Sequence, residues 1–455
     1  MNLSLIGELN ELEFGQVIRP HDSEYDRARA VYAGDVDRRP LVIIRPENSN
    51  QVARVVGLAR ESNLELAIRS GGHSAAGHGV CDGGIVLDLS RMQAIEVDVD
   101  AQTAWTEPGI TAGAYIAAIA EYGLATGFGD GTLVGVGGIT LGGGIGYLVR
   151  KHGMSIDELL AAEIVTADGE VRLVDEQNNS DLWWAIRGGG GNFGVATRLK
   201  FRLHELSGVY GGMLVAPVDA RILEAFITEA DAAPEELSMI VNVWTAPPFP
   251  FIPEEYHGKP IILSMICYAG DADAGRTVVD RFRAIVPPLA DMVKAIPYSD
   301  MFPQGDPMEH PISVARNMFI DQMDRSAAET VLEFITSSTA ITATAQFRVL
   351  GGAMARVSSD ATAFAHRTSR IMAHLAAIYD NPSEAEEHEA WVESFMLALR
   401  QSDFGAYVNF VDGRQKNVME SVYPGATGQR LSRIKAKYDP ANLFHSNHNI
   451  LPAKS

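Results

Sequence analysis

Arg69-Ser70-Gly71-Gly72-His73-Ser74 follows a short apolar run, Leu64–Ile68, and precedes Asp82-Gly83-Gly84-Ile85-Val86-Leu87-Asp88-Leu89. Both apolar runs have strand length and are bounded by glycine or serine, so they predict two short strands separated by a tight turn and a loop. Upstream, Asn48 and Ser49 stand before Val52, Val55, Val56 and Ala59 at helical spacing, which predicts a capped helix. Thr111–Tyr122 predicts a second helix. Glycine then becomes dense from Gly127 to Gly146, a pattern that a regular core element would not tolerate, since each interior glycine costs ~0.5–1 kcal/mol relative to alanine. Such a stretch has a use for exposed backbone. Beyond it, Asp157–Ala162 is helix-compatible and Glu163–Ala167 reads as a strand. Asp168-Gly169 is a hairpin turn into Glu170–Val174. Leu199, Phe201 and Leu203 alternate with Arg198, Lys200 and Arg202, the mark of a half-exposed strand.

A third cluster, Gly189-Gly190-Gly191-Asn192-Phe193-Gly194, satisfies the dinucleotide fingerprint G-x-G-x-x-G, but its context is reversed. The fingerprint needs a strand before it and a helix after it, so that the pyrophosphate lies on the helix N-terminus. Here Asp181–Arg187 is helix-like and Val195–His204 reads as a strand, which argues against a nicotinamide-binding Rossmann unit. Three glycine clusters in one region point instead to backbone that lines an anion site with its own N–H groups. A pyrophosphate bound by a chain of net charge −21 needs such a neutral cradle.

That charge also excludes recognition of nucleic acid by phosphate neutralisation, which requires a lysine and arginine surplus. With 455 residues, 46% hydrophobic and 21% charged, the chain is expected to form two or three globular domains. No apolar run reaches the ~18–20 residues of a spanning helix, and Met1–Glu11 carries two acids in place of a basic leader, so no membrane partner and a cytoplasmic location are expected. Two distant cysteines, Cys81 and Cys267, offer neither a disulfide framework nor a zinc site; Cys267, in the apolar run Ile261–Tyr268, reads as buried packing. His445 and His448 lack a third ligand nearby, and no metal is expected. From Leu206 to Arg414 helical patterns alternate with strands such as Leu237–Trp244, Ile261–Tyr268 and Ala343–Leu350, which predicts a second, α+β domain. Trp183-Trp184 reads as core anchoring. Phe249 and Phe251 in Ala246–Pro253 either line a pocket or cover the sheet.

The wording of the clusters carries a resemblance. Arg69–Ser74 with Asp82–Leu89, Val134-Gly135-Val136-Gly137-Gly138 with Leu141-Gly142-Gly143-Gly144-Ile145-Gly146, Arg187–Gly194, and Tyr438-Asp439-Pro440-Ala441-Asn442-Leu443-Phe444 resemble, in order and spacing, the vanillyl-alcohol oxidase/p-cresol methylhydroxylase superfamily, berberine-bridge-enzyme branch. The resemblance implies an α+β fold: a PCMH-type FAD-binding domain over residues 1–205, a substrate domain built on an antiparallel sheet over 206–414, and a return to the FAD-binding domain over 415–455. It implies FAD contacts at Arg69, Ser70, Gly71, Gly72, His73, Ser74, Val134, Gly137, Gly138, Thr140, Gly142, Gly146, Gly194, Val195, Asn442 and Phe444. It further implies that His73 bonds a ring nitrogen to the flavin's methyl carbon. Gly131 stands where many relatives place a second, cysteine attachment, so the tether is single; His78 and Cys81 read as loop structure.

Val134 resembles the small gatekeeper that leaves oxygen a path to reduced flavin, which implies an oxidase in preference to a dehydrogenase. Tyr407 and Asn409, in Ala406-Tyr407-Val408-Asn409-Phe410, match the family's active-site Tyr-x-Asn pattern and are expected to project from one side of a strand. Tyrosine serves as acid or base only where a cation or a donor lowers its pKa from ~10. Ile145 departs from the plant pattern, which has a tyrosine there, and the wording is closer to bacterial members, the hydroxynicotine oxidases among them. The implied partners are a small alcohol, sugar or amine and O2. Two rival readings stand beside this one, a catalytically silent FAD-binding fold and a nicotinamide-dependent dehydrogenase.

Overall fold

The computed structural model describes residues 9, 11–302, 305–306, 310–415 and 418–454. Most of the acidic start, Met1–Glu8 and Asn10, therefore lies outside the described residues. Among them the chain forms an α+β structure with three main sheets.

The first sheet has the order Gln16–Ile18, Val42–Arg45, Ile85–Asp88, Leu66–Arg69. Its two parallel pairings follow from a βαβ crossover: Val42–Arg45 and Leu66–Arg69 both run parallel to Ile85–Asp88, and helix Ser49–Ser62 connects them. Asn48 caps that helix by accepting from the Gln51 N–H at 3.0 Å. Val52, Val55, Val56 and Ala59 are fully buried, and each such valine contributes about 1.5–3 kcal/mol on leaving water. Asn63 ends the helix in the left-handed region, φ 50°.

The second sheet is antiparallel, in the order Ile95–Asp98, Thr103–Thr106, Val195–Arg202, Leu159–Val165, Val171–Val174. The alternation read from Leu199, Phe201 and Leu203 is met, since all three are buried. The helix expected over Asp157–Ala162 is not. It spans only Ser155–Glu158, and Leu159–Val165 is a strand, because its backbone groups pair with Val195–Arg202 and the ladder overrides local helical propensity.

The third sheet is antiparallel, with the order Ala290–Asp291, Val209–Pro217, Pro260–Tyr268, Leu237–Thr245, Thr342–Val349, Ile371–Tyr379, Ile312–Ile320; Lys294–Ile296 pairs beside it on Val209–Pro217. Helices Ala220–Ala232, Ala272–Ile285, Arg325–Ser337 and Ala385–Leu399 cover one face, burying Val241, Ala345, Phe347, Ala373 and Leu375 beneath them. The opposite face looks toward the glycine-rich half of the molecule. Arg150 ties the halves: its guanidinium donates to the carbonyls of Ala230 and Ala233 at 2.6 and 2.8 Å, satisfying groups that the end of helix Ala220–Ala232 leaves open, and to the Leu237 carbonyl at 3.2 Å where strand Leu237–Thr245 begins. Helix Ala426–Tyr438 packs back against Ser180–Ile186 in the first half.

Trp183 and Trp184 are buried, and both cysteines are buried and free. Phe249 lies against Trp244 and Phe251, an apolar cover at the end of strand Leu237–Thr245. No helix among the described residues is long and apolar enough to cross a membrane.

Candidate active site

The glycine clusters, distant in sequence, meet backbone to backbone. A side chain on Gly71 would overlap the Gly135 amide, and one on Gly135 would overlap Gly71, so only glycine permits this approach of the first and second clusters. The Gly188 N–H donates to the Leu141 carbonyl at 3.0 Å, which joins the second cluster to the third. Asn192 extends the link to the C-terminal segment, donating to the His448 carbonyl at 3.2 Å and accepting from the Ile450 N–H at 2.9 Å. His448 in turn packs edge-on against His78, 4.6 Å away, which closes the circle onto the loop that carries His73.

The backbone and polar groups so gathered fit a flavin dinucleotide. Among the described residues, no protein group accepts from the main-chain N–H of Gly71, Gly72, His73 or Ser74. Four successive free donors suit an anion such as a pyrophosphate. Gly138 is exposed with open space where a side chain would stand, and the buried oxygens Thr140 Oγ1, Asn447 Oδ1 and Asn449 Oδ1 lack protein partners. Buried polar atoms are rarely left so, and these need a ligand or water. His73 is half-buried, and burial holds its imidazole below the usual histidine range, so it is neutral at pH 7.

Tyr407 stands at the junction of the glycine-rich loop and the third sheet. Its buried hydroxyl oxygen accepts from the Gly144 N–H at 2.8 Å and from Asn409 Nδ2 at 2.9 Å; Asn409 Nδ2 also donates to the Ile139 carbonyl at 3.0 Å. The Tyr407 N–H is held by Asn317 Oδ1 at 2.6 Å. Burial pushes the phenol above its usual pKa, and the Gly144 N–H, the Asn409 amide and the charge of Arg348 pull it part of the way back. Thus both kinds of group that tyrosine chemistry requires, donors and a cation, are present. The strand expected at Tyr407–Asn409 is corrected to a single 3₁₀ turn, Val408–Phe410, closed by Phe410 N–H to Tyr407 carbonyl and Val411 N–H to Val408 carbonyl. The tight turn, not a strand face, brings the Asn409 amide onto the Tyr407 oxygen. Gly142 makes room for it: a side chain there would overlap the amide.

Residues 40–175 match the family described as FAD binding domain, and residues 406–451 match Berberine and berberine like. An FAD-linked oxidoreductase of Dictyostelium discoideum is 30% identical over 461 residues, covering 99% of this chain and 98% of the relative. FAD-linked oxidoreductase YvdP of Bacillus subtilis (strain 168) is 32% identical over 459 residues, covering 97% of this chain and 98% of its own. The chain belongs to the berberine-like FAD-linked oxidoreductases. The crystal structure of 6-hydroxy-D-nicotine oxidase from Arthrobacter nicotinovorans has the same fold, with a TM-score of 0.86 at 26% identity over 96% of this chain and 98% of that one.

Not every cofactor residue expected for this berberine-like oxidoreductase faces the cradle. Arg69 is buried beneath the loop, where its guanidinium donates to Asp88 Oδ2 at 2.8 Å and to the Ala28 and Ala30 carbonyls. Val195 and the Phe444 ring belong to the apolar core under the first sheet, and the Phe444 carbonyl is taken by Lys435. Gly194 and Gly146 pack tightly on the strand Leu159–Val165 and on Phe128. Asn442 adopts the left-handed region, φ 55°, with Oδ1 buried and unpartnered. Val134 is half-buried, with its Cγ2 over Gly131. His445 and His448 are apart in role: His445 Nδ1 bonds its own turn at Asn442, and no metal-holding cluster exists among the described residues.

The sequence reading missed a polar row on the open face of the third sheet. Asn242, Gln346, His374 and Asn317 are direct cross-strand neighbours on four adjacent strands. Gln346 Nε2 donates to Asn242 Oδ1 at 2.9 Å, and Arg348, two residues along the strand, donates to Gln346 Oε1, Asp130 Oδ2 and the Ile145 carbonyl. The His374 ring lies 4.9 Å from Phe410, which is 5.4 Å from Tyr407. A signal existed: Thr342, Thr344, Gln346 and Arg348 alternate with Ala343, Ala345, Phe347 and Val349, a two-faced strand whose polar side is half-buried.

Proposed function

We propose that this FAD-dependent oxidoreductase is an oxidase, taking hydride from a hydroxyl- or amine-bearing carbon of a small organic substrate onto FAD attached through His73, with O2 returning the flavin to its oxidised state as H2O2. The flavin supplies the hydride chemistry, and the chain binds it, holds the substrate and moves one proton. The observation that carries the reading is the Tyr407 hydroxyl, held by two N–H donors between the glycine-rich loop and the polar sheet face. The phenolate form of Tyr407, which the Gly144 N–H, the Asn409 amide and the Arg348 charge favour, takes the substrate proton and becomes the phenol, and Asn409 fixes its oxygen. Asn242, Gln346 and His374 offer neutral donors and acceptors, while the Arg348 charge is matched by Asp130 at 2.9 Å. Residues 1–205 with 415–455 serve the flavin and 206–414 the substrate, in the cytoplasm, and Val134 keeps the oxygen path open.

A peroxide-release screen of sugars, alcohols and cyclic amines tests the activity. Substrate oxidation with equimolar peroxide supports the oxidase; flavin that is reduced anaerobically but persists reduced in air indicates a different electron acceptor. Acid precipitation tests the tether: wild-type protein stays yellow after washing and His73→Ala releases its colour. Complete loss of flavin from the wild type would remove the covalent link and leave FAD binding standing.

A further inference from the structure

The His73 ring does not stand alone. The Tyr32 ring lies against it, with centroids 4.7 Å apart and planes 20° from parallel. The Tyr32 N–H donates to the Gly72 carbonyl at 3.0 Å, so the two segments are joined through the main chain as well. From the other side the segment is held by the approach to strand Ile312–Ile320: His310 Nδ1 lies 2.7 Å from the Val31 carbonyl, and the Gly34 N–H donates to the Pro311 carbonyl at 3.0 Å. Arg414 adds an ion pair to Asp35 at 2.5 Å. Tyr32 is thus fixed between the flavin loop and the third sheet. Among the described residues, no protein group hydrogen-bonds either His73 ring nitrogen, and the Tyr32 ring is the one aromatic ring packed against it. A parallel, offset aromatic pair is a favoured geometry and a specific one.

We infer that Tyr32 is a positioning residue for flavin attachment, a shelf that keeps the His73 imidazole in the plane from which its nitrogen meets the flavin's methyl carbon. The inference rests on the covalent reading proposed above. In the attachment a nitrogen–carbon bond forms; the methyl C–H and the imidazole N–H break. Their two protons and the C–H electron pair leave the flavin two-electron reduced, and O2 removes both electrons and both protons as H2O2. Tyr32 takes no part in bond making; it raises the fraction of time the nitrogen is correctly placed.

The test uses the full chain produced under riboflavin limitation and then given FAD. Acid-stable flavin is followed with time, and total bound flavin per chain is measured in parallel before precipitation. Tyr32→Phe keeps the ring and attaches flavin within about twofold of the wild-type rate, while Tyr32→Ala binds FAD to the same stoichiometry but attaches it about three- to tenfold more slowly. Attachment by Tyr32→Ala at the wild-type rate overturns the inference. So does Tyr32→Phe as slow as Tyr32→Ala, or a fall in total bound FAD that accounts for the slower attachment. Wild-type protein that binds FAD but never makes it acid-stable overturns the covalent reading itself, an outcome the control identifies separately.

Discussion

The Tyr407 oxygen accepts two hydrogen bonds, so its own hydrogen must point in a third direction, which the proposed reaction gives to the substrate. Burial favours the neutral phenol at neutral pH, so in the proposed oxidase the base is the minor phenolate form, which the Gly144 and Asn409 N–H groups and the Arg348 charge favour. Tyr407→Phe preserves the ring and removes only this base, so flavin reduction in anaerobic single turnover should fall by ~10²–10⁴-fold. A loss under about threefold, ~0.65 kcal/mol at 1.36 kcal/mol per tenfold, would move the proton acceptor elsewhere. His374 would then be the next candidate, since burial lowers its pKa to about 4 and leaves it neutral. Asn409→Ala frees the Tyr407 oxygen without deleting it and should cost less than Tyr407→Phe in the same assay. At Val134, replacement by leucine should slow reoxidation by O2 more than reduction by substrate; stopped-flow traces in which both half-reactions slow equally would leave Val134 as packing.

At the scale of an element, the C-terminal helix Ala426–Tyr438 owes its docking to a charge buried completely. Lys435 and Asp439 are both fully buried, and Lys435 Nζ donates to Asp439 Oδ2 at 2.6 Å, to the Asn192 carbonyl at 2.7 Å and to the Phe444 carbonyl at 2.8 Å. All three ammonium hydrogens are thereby used, and Asp439 also accepts from the Leu443 and Phe444 N–H groups. Burial pulls the Lys435 pKa down while Asp439 resists it. Lys435→Met strands Asp439 without its cation, and removing one partner of a buried pair costs about 3–5 kcal/mol. Urea unfolding of the variant should show that loss as a lower midpoint at unchanged slope. A change below about 1 kcal/mol, the range of exposed pairs, would mean that solvent reaches the pair.

Across the whole molecule, several half-buried histidines are held neutral. Burial, helped by neighbouring charge, lowers His78 and His152 to about 3 and His374 to about 4, and burial alone lowers His448 to about 4. In the unfolded chain each titrates near ~6.5, so between that pH and ~4 the unfolded state binds protons that the folded state does not. Their stabilisation is complete above pH ~6.5 and is lost as pH falls, by at most about 1.4 kcal/mol per pH unit for each histidine. Relief of the −21 net charge acts in the opposite sense, so the comparison should be made between proteins. The Tm of His152→Gln should fall less steeply than that of the wild type from about pH 6.5 to about pH 4.5, the window those shifts define; parallel slopes would show that His152 is protonated in the folded state. The sequence alone determined the glycine loops, the one that carries His73 among them, the capped helix at Asn48 and the alternation of Leu199, Phe201 and Leu203, because each depends on backbone permissiveness or short periodicity within a few residues. Only the tertiary structure decided that Gly144 and Tyr407, 263 positions apart, share a hydrogen bond. It likewise decided that Arg69 serves the core, that Asp157–Ala162 yields to a ladder at Leu159, and that Asn242, Gln346, His374 and Asn317 form one row. Those arrangements depend on strand register and loop closure, long-range choices set by packing the whole chain at once.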